Sequence, residues 1–214
     1  MIPIVYENDE FLIINKPAGL AVQGGHGIVH SVDTDLAAQV GYKIHLVHRL
    51  DKDTCGLMMV AKSPVAAGKW TKLIGSKAVK KEYIAVCAGK MPSKNGIIKE
   101  DIVQHGDSKA AVTHYQVEKE WTVKVPVEEG EKEIPMTQVR LKLETGRMHQ
   151  IRIHLAKNEC PIAGDDQHGN FKINKMLKKA CGIKRLQLAS VCLTVPLNSK
   201  EQSFIIDNPL YNMV

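Results

Sequence analysis

The residue types best suited to chemistry lie together in residues 48–56, which read HRLDKDTCG. This segment places an acidic side chain, Asp51, two residues from a basic one, Arg49, and it directly precedes the apolar run at residues 57–61. Such a run is typical of a buried strand, so we expect the segment to form a loop at the edge of a sheet. A polar turn with an aspartate cap would use the same residue types, and for an isolated Arg-Leu-Asp triplet that interpretation is favoured.

Metal chemistry is disfavoured by the spacing of the candidate ligands. Residues 51–62 superficially fit a calcium loop, but Cys55 and Lys62 stand where that loop needs an oxygen ligand and a glutamate. His149 and His154 are five residues apart, whereas a zinc-binding helix places its histidines four apart. The sequence also has no phosphate-binding or dinucleotide-binding glycine motif. We therefore expect a protein with no metal and no cofactor.

The elements that must position these residues are mainly strands. Apolar alternation predicts strands at residues 2–6, 11–15, 57–61, 82–86, 111–117, 139–143, 186–195 and 203–206. Helices are predicted at residues 31–40, 63–76, 148–157 and 173–180, the second of them from the Ser63-Pro64 start. The glutamate-rich residues 126–135 predict a long exposed hairpin tip. The sequence thus predicts one α+β domain over residues 1–214, with a mixed, mostly antiparallel sheet flanked by helices and loops.

Composition narrows the class of protein. The chain has 44% hydrophobic and 24% charged residues, which is typical of a soluble globular protein, and its net charge of +6 suits a polyanionic partner. Five cysteines, with no C-x-x-C pair, indicate reduced thiols rather than a disulfide framework or a zinc ribbon. No signal peptide or membrane span is apparent, so we expect a cytoplasmic protein without a membrane partner.

Five blocks of sequence, in order, resemble the RluA-type pseudouridine synthases. They are residues 15–20 (NKPAGL), 48–56 (HRLDKDTCG), 81–85 (KEYIA), 145–154 (TGRMHQIRIH) and 161–165 (PIAGD). This family detaches a uridine base from its ribose, rotates it and rejoins it through carbon five without a cofactor. The resemblance therefore implies an isomerase with a pseudouridine-synthase catalytic domain. One departure is Cys55, where the family usually has serine.

The resemblance also assigns catalytic roles. Asp51 matches the catalytic aspartate, a nucleophile that must be ionised to attack. Arg152 matches the arginine that pairs with it, and an adjacent guanidinium would favour the charged carboxylate. Tyr83 matches the tyrosine that stacks on the target base, and removal of the carbon-five proton is a second possible role.

Other residues are candidates for contact with RNA. Arg49 matches the residue that fills the gap left by an extruded base. Arg147 either touches phosphate or braces its own loop, and Ile162 either contacts the base or belongs to the core. The four lysines at positions 172, 175, 178 and 179 are either a solvated helix face or a contact for the RNA backbone.

Finer features at residues 24–27, 161–169 and 184–188 look closest to the ribosomal large-subunit pseudouridine synthase C branch of the family. That branch implies uridines in 23S rRNA as the substrate, and a protein that acts as a monomer. An N-terminal RNA-binding module usually precedes the catalytic domain there, and we expect it to be absent from this chain, which begins almost at the first block. A tRNA pseudouridine synthase of the same family and a catalytically inactive RNA-binding homologue remain the alternatives.

Overall fold

The computed structural model of the protein describes residues 1–104, 106–128 and 130–210. Within these residues the chain forms four helices, which are α1 (Val32–Val40), α2 (Pro64–Gly75), α3 (Gln150–Lys157) and α4 (Phe171–Cys181). The first six strands are β1 (Ile4–Glu7), β2 (Phe11–Lys16), β3 (His45–Leu46), β4 (Cys55–Ala61), β5 (Lys80–Ala88) and β6 (Asn95–Lys99). The last six are β7 (Ile102–Gln104), β8 (Asp107–Lys109), β9 (Val112–Val127), β10 (Gly130–Leu143), β11 (Leu188–Leu197) and β12 (Lys200–Ile205).

Two compact units make up the described chain. The first unit comprises Met1–Lys81 and Ala189–Pro209, and the second comprises Glu82–Leu188 with Leu210. In the first unit β2 pairs antiparallel with β1 and β4, β3 with β4, and β12 with β11, whereas β4 and β11 run parallel. The predicted α+β class with a mixed, mostly antiparallel sheet is confirmed.

The core of the first unit is built on α2 and β2. Helix α2 begins where the sequence predicted, because the Ser63 hydroxyl accepts a hydrogen bond from the Ala66 N–H and Pro64 occupies the first helical turn. Trp70 of α2 is buried and meets Phe11 of β2 edge-on, with 4.7 Å between ring centroids. Its indole N–H donates to Glu10 at 2.8 Å, so the polar edge of the ring is satisfied. This packing fixes β2 and its neighbour β4, which begins inside residues 48–56.

The second unit is a run of antiparallel strands in the order β5, β10, β9, β6, with β7 and β8 forming a separate hairpin. The long exposed hairpin tip predicted over residues 126–135 is confirmed, because β9 and β10 pair antiparallel with Gly130 opposite Val127, and most described residues of this range are exposed. Burial of Val123, Val125 and Ile134 explains why these strands continue so far.

Three strands of this unit, β6, β7 and β8, were not predicted, since they are short and carry little apolar alternation. Helix α3 starts two residues later than predicted, because His149 has a left-handed backbone with φ of 54°.

Among the described residues, no helix is long and apolar enough to cross a membrane. The domain limits 1–214 stay a prediction.

Candidate active site

Asp51 lies on a tight loop between Leu50, which is buried, and the start of β4. Its backbone carbonyl accepts a hydrogen bond from the Thr54 N–H at 3.2 Å, which closes the turn. The Asp51 side chain is half-buried, whereas Thr54 is buried. The segment predicted to form a loop at the edge of a sheet does form a loop, and it leads into β4, a strand that pairs with β2 on one side and β11 on the other.

Lys16, the last residue of β2, anchors the Asp51 loop through hydrogen bonds. The Lys16 side chain is fully buried, and its ammonium donates to the carbonyls of Pro17, Leu20 and Lys52 at 2.9–3.0 Å. These three bonds use all three ammonium protons and join residues 17–20 to the Asp51 loop. A further backbone bond runs from the Gly19 N–H to the Lys52 carbonyl at 2.9 Å.

Burial lowers the pKa of Lys16 to about 8, against the opposing influence of the nearby acidic groups of Cys55, Asp53 and Asp51. At neutral pH the ammonium is still charged, so it supplies positive potential close to the Asp51 carboxylate. Lys16 belongs to the family block at residues 15–20, but no local pattern predicts that its side chain bonds three carbonyls.

Gly56 allows β11 to approach the end of the Asp51 loop. It has φ of +104°, and a Cβ at this position would lie 2.1 Å from the Ser190 carbonyl oxygen. Since Ser190 pairs with Gly56 in the parallel β4–β11 ladder, any side chain would push these strands apart. The close approach of the Ser190 backbone therefore explains why the HRLDKDTCG block has glycine at position 56.

His48 anchors the other end of the loop to β4. Its Nε2 accepts a hydrogen bond from the Met59 N–H at 3.0 Å, which requires a neutral ring. Burial and the nearby Lys81 ammonium both hold the His48 pKa well below its usual range. Nδ1, which then carries the proton, is buried and has no hydrogen-bond partner in the described part of the chain. His48 is therefore a neutral structural anchor.

Two other residues of the block differ in exposure. Arg49 is exposed, as expected of a side chain that meets RNA. Cys55 is half-buried, and burial raises the pKa of its thiol, so the neutral thiol is favoured.

In the second unit, the central charged feature is the buried pair of Arg152 and Asp165. Arg152 of α3 is 5% exposed and Asp165 is 1% exposed. The guanidinium donates through Nε and Nη2 to the two carboxylate oxygens at 2.8 and 2.7 Å, a bidentate geometry. Arg152 also lies 3.5 Å from a carboxylate oxygen of Asp166.

The Asp165 carboxylate accepts hydrogen bonds from several donors. One carboxylate oxygen also accepts bonds from the backbone N–H groups of Gln167 and His168 at 2.9 and 3.0 Å. Burial alone would raise the pKa of Asp165, but the bonds from Arg152 and these two N–H groups outweigh it and hold the pKa below its usual range. Sequence reasoning placed Asp165 in a family block without giving it this function. Two adjacent aspartates before an Asn-containing turn were the available signal.

Gln150 is a second residue whose function was missed. Its side-chain oxygen accepts from the Thr145 hydroxyl and the Arg147 N–H, and its amide donates to Val112 and Thr113 of β9. All four bonds measure 2.8–3.1 Å, so the loop before α3 is fastened to the sheet. The Arg147 side chain is exposed, with one long bond of 3.3 Å from Nε to the Ala110 carbonyl.

Tyr83 and Ile162 lie on adjacent segments. Tyr83, 6% exposed, is on β5 opposite Leu141 of β10. Residues 161–163 run beside β5, with Ile162 bridged to Cys87. Ile162 is 1% exposed, which is the burial of a core residue. Contact between Ile162 and a base stays a prediction.

The histidines predicted not to bind metal have other partners. Both ring nitrogens of the buried His154 lie 2.9 Å from oxygens, those of the Thr113 hydroxyl and the Glu100 carbonyl. His149 Nδ1 lies 3.0 Å from His168 Nε2. Over the described ranges, no group of three or more His, Cys, Asp or Glu residues is placed to hold a metal ion.

The predicted site residues therefore fall into two sets. The first unit carries Asp51 and Arg49, and the second carries Tyr83, Arg147, Arg152 and Ile162. The pairing of Arg152 with Asp51 stays a prediction.

Comparison with known proteins agrees with the sequence blocks. The chain is 38% identical over 184 residues to ribosomal large subunit pseudouridine synthase C of Rickettsia bellii, covering 79% of this chain and 58% of the relative. It is 37% identical over 184 residues to ribosomal large subunit pseudouridine synthase D of Salmonella typhimurium, covering 78% and 52%. The chain thus spans little more than half the length of these curated relatives.

A solved structure and a family profile give the same result. The structure of human RNA pseudouridylate synthase domain containing 4 superposes with a TM-score of 0.74 at 25% identity, covering 97% of this chain and 88% of that one. The profile described as RNA pseudouridylate synthase matches residues 10–157, which include the Asp51 loop, Tyr83 and Arg152. The chain belongs to the RNA pseudouridylate synthase family.

Proposed function

We propose that this protein isomerises specific uridines in 23S rRNA to pseudouridine, with Asp51 as the catalytic carboxylate. The observation that carries the proposal is the Asp51 loop itself, in which a half-exposed carboxylate is held on a loop that a buried lysine and a close strand contact make rigid. A nucleophile needs this combination of access and fixed geometry.

The chemistry assigned to Asp51 is attack by the ionised carboxylate on the sugar or on the pyrimidine ring. The base, once detached, is rotated and rejoined through carbon five. The carbon-five proton leaves, and the ring nitrogen N1, which is no longer bonded to the sugar, takes up one proton. Because no atoms are gained or lost overall, the reaction requires no external reagent.

Arg152 and Tyr83 complete the proposed machinery. Arg152 is oriented by Asp165, and this bidentate pair fixes the direction in which the guanidinium points. We propose that Arg152 pairs with the Asp51 carboxylate in the working enzyme, and that Tyr83 stacks on the target base. Arg49 and Arg147 are exposed and would contact the RNA around that base.

The choice of 23S rRNA is supported by the names of the relatives, which are ribosomal large subunit pseudouridine synthases of types C and D at nearly equal identity. The partner is therefore RNA, and the position modified is a matter for experiment. We expect the protein to act as a monomer, and to prefer naked or partly assembled rRNA because extruding a base needs access to it.

The test is to incubate the protein with protein-free 23S rRNA, mature large subunits and bulk tRNA, and to map pseudouridine at single-nucleotide resolution. We expect new pseudouridine in the protein-free 23S rRNA. Asp51→Asn keeps the size of the side chain but removes the nucleophile, so turnover should fall by roughly 10⁴-fold or more while RNA affinity is retained.

The controls separate the alternatives. Asp53→Asn, in the same loop, removes an equal charge without removing the proposed nucleophile. Modification of tRNA with rRNA untouched would overturn the substrate but keep the enzyme. Pseudouridine formation by Asp51→Asn within tenfold of the wild-type rate would refute the catalytic assignment, and RNA binding without any isomerisation would favour the inactive homologue.

A further inference from the structure

We infer that one face of α4 is a docking surface for the RNA backbone, with an aromatic side chain that stacks on an unpaired base. The surface, called here the lysine face, consists of Phe171, Lys172, Lys175, Lys178 and Lys179. The inference deepens the proposed function, since it rests on RNA being the substrate.

The geometry of α4 gathers these side chains on one side. At about 100° per residue, the four lysines and Phe171 fall within an arc of about 120°, and Lys172 to Lys179 covers about 10 Å of the helix axis. All five are exposed. On the opposite side, Leu177 is fully buried and Ile173 is partly buried. The helix is thus divided into a packed side and a side that carries only positive charge and one aromatic ring.

Within the described part of the chain, the lysines of the lysine face have no acidic partners, unlike several other exposed lysines. Helix α4 contains no acidic residue, and none of its four lysines forms an ion pair with any residue that the structure describes. Several other exposed lysines of the protein are paired, for example Lys69 with Glu10 at 2.7 Å, Lys80 with Glu201 at 2.6 Å, and Lys94 with Glu120. On α4, four positive charges without such partners among the described residues lie together on one helix face and are available to a polyanion.

Favourable interaction with the helix dipole accounts for only part of this pattern. Lys178 and Lys179 lie in the last turn, where cations are stabilised. Lys172 lies in the first turn, where a cation is disfavoured, and Lys175 lies one turn from both Lys172 and Lys179. Like charges at these spacings destabilise a helix by a few tenths of a kcal/mol per pair. An external anion removes this repulsion.

Phe171 gives the surface a second kind of contact. Its side chain is 69% exposed at the first residue of α4, within the arc of the lysines. Aromatic rings set among cations are the arrangement with which proteins bind single-stranded RNA, because the ring stacks on a base while lysines follow the phosphates.

The lysine face is fastened to the Arg152 region of the same unit. Asn174 of α4 donates to the Asp165 carbonyl at 2.8 Å and accepts from the Gly164 N–H at 2.9 Å. Asp165 in turn holds Arg152. RNA docked on α4 is therefore held in a fixed position relative to Arg152, which is what a docking surface must provide.

The experiment measures binding of the 214-residue protein to protein-free 23S rRNA across a series of salt concentrations. The test variant is Lys175→Gln, Lys178→Gln, Lys179→Gln. If each lysine neutralises one phosphate, the slope of log affinity against log salt should become shallower by about 2, and affinity at 100 mM salt should fall roughly 100-fold.

The matched control is Lys69→Gln, Lys80→Gln, Lys94→Gln, which lowers the net charge by the same amount at exposed but ion-paired positions. We expect its salt slope to stay within 0.5 of the wild type. Phe171→Ala should weaken binding roughly tenfold with no change in slope, since stacking releases no counterions. The lysine variant thus changes the salt slope, whereas Phe171→Ala changes the affinity alone.

Equal slopes for the test and control triples would overturn the lysine face, and an unchanged affinity for Phe171→Ala would overturn the stacking contact. Binding is measured without catalysis, so the salt slopes can be interpreted whether or not the protein isomerises uridine. Pseudouridine formation by the wild type together with equal slopes refutes only the docking surface. No pseudouridine formation together with a shallower slope refutes only the proposed reaction.

Discussion

The Asp51 loop in the first unit and the Arg152–Asp165 pair in the second hold their charged groups in different ways. In the first unit a buried ammonium binds three neutral carbonyls, and the carboxylate of Asp51, the proposed nucleophile, stays half-exposed. In the second unit the guanidinium of Arg152 is buried and is bound by a buried carboxylate. The first arrangement fixes a backbone and leaves the reactive group accessible, whereas the second fixes the direction of the charged group itself.

This difference predicts how each region fails. Removing one partner from a buried ion pair leaves an uncompensated charge, which is costly. Removing a lysine that binds carbonyls leaves unsatisfied acceptors but also relieves a buried charge, so the net cost is smaller. The predictions below follow this order.

The largest effect is expected for Asp165→Asn. The variant keeps the shape of the side chain but leaves Arg152 buried without its counterion, so the free energy of unfolding should fall by about 3 kcal/mol. Turnover should fall roughly 100-fold because Arg152 loses its fixed orientation. Denaturant unfolding and single-turnover assays measure the two effects. Asp166→Asn is the control, since Asp166 is 73% exposed and its loss should cost less than about 1 kcal/mol. Equal effects at the two positions would contradict the role of the buried pair.

A smaller effect is expected for Lys16→Met. The three carbonyls lose their donor, but a buried charge also disappears, and we expect a net loss of about 2 kcal/mol in the free energy of unfolding. The exposed Lys69, changed to Met in parallel, should cost less than about 1 kcal/mol. A Lys16→Met protein as stable as the wild type would show that the loop does not depend on this lysine.

Lys16 also predicts a dependence on pH. Its pKa is about 8 in the folded protein and about 10.4 in an unfolded chain. Between these values the unfolded chain binds more protons, so the free energy of unfolding contributed by Lys16 rises as pH rises from about 8 to about 10.4. The stability difference between wild type and Lys16→Met should therefore grow with pH across this window. A difference that stays constant or shrinks there would argue against the depressed pKa.

The smallest effect is expected for Cys55→Ser, which restores the residue usual in the family. The two side chains are similar in size and the Cys55 thiol is neutral, so stability should change by less than about 1 kcal/mol and turnover by less than about threefold. Thermal unfolding measures the change in stability, and steady-state assays measure the change in turnover. A large loss of turnover would mean that the thiol has a function of its own.

Much of the fold could be predicted from local sequence. Helix α2 was predicted from Ser63 and Pro64, and β2 and β4 from their apolar runs, since caps and burial patterns act within a few residues. The short strands β6, β7 and β8 and the full length of β9 and β10 were not, because the short segments carry little apolar alternation and all of these strands are stabilised by pairing with a neighbouring strand.

The sequence by itself determined the family, because the HRLDKDTCG block and its companions are local stretches that can be recognised without the fold, and it supplied the proposed catalytic residues. Only the tertiary structure decided what supports them. Lys16 reaches Lys52 across 36 residues, Gln150 reaches Val112 across 38, and Asp165 reaches Arg152 across 13. These side chains act by satisfying buried polar groups, and which groups become buried together is a property of the folded chain rather than of any local pattern.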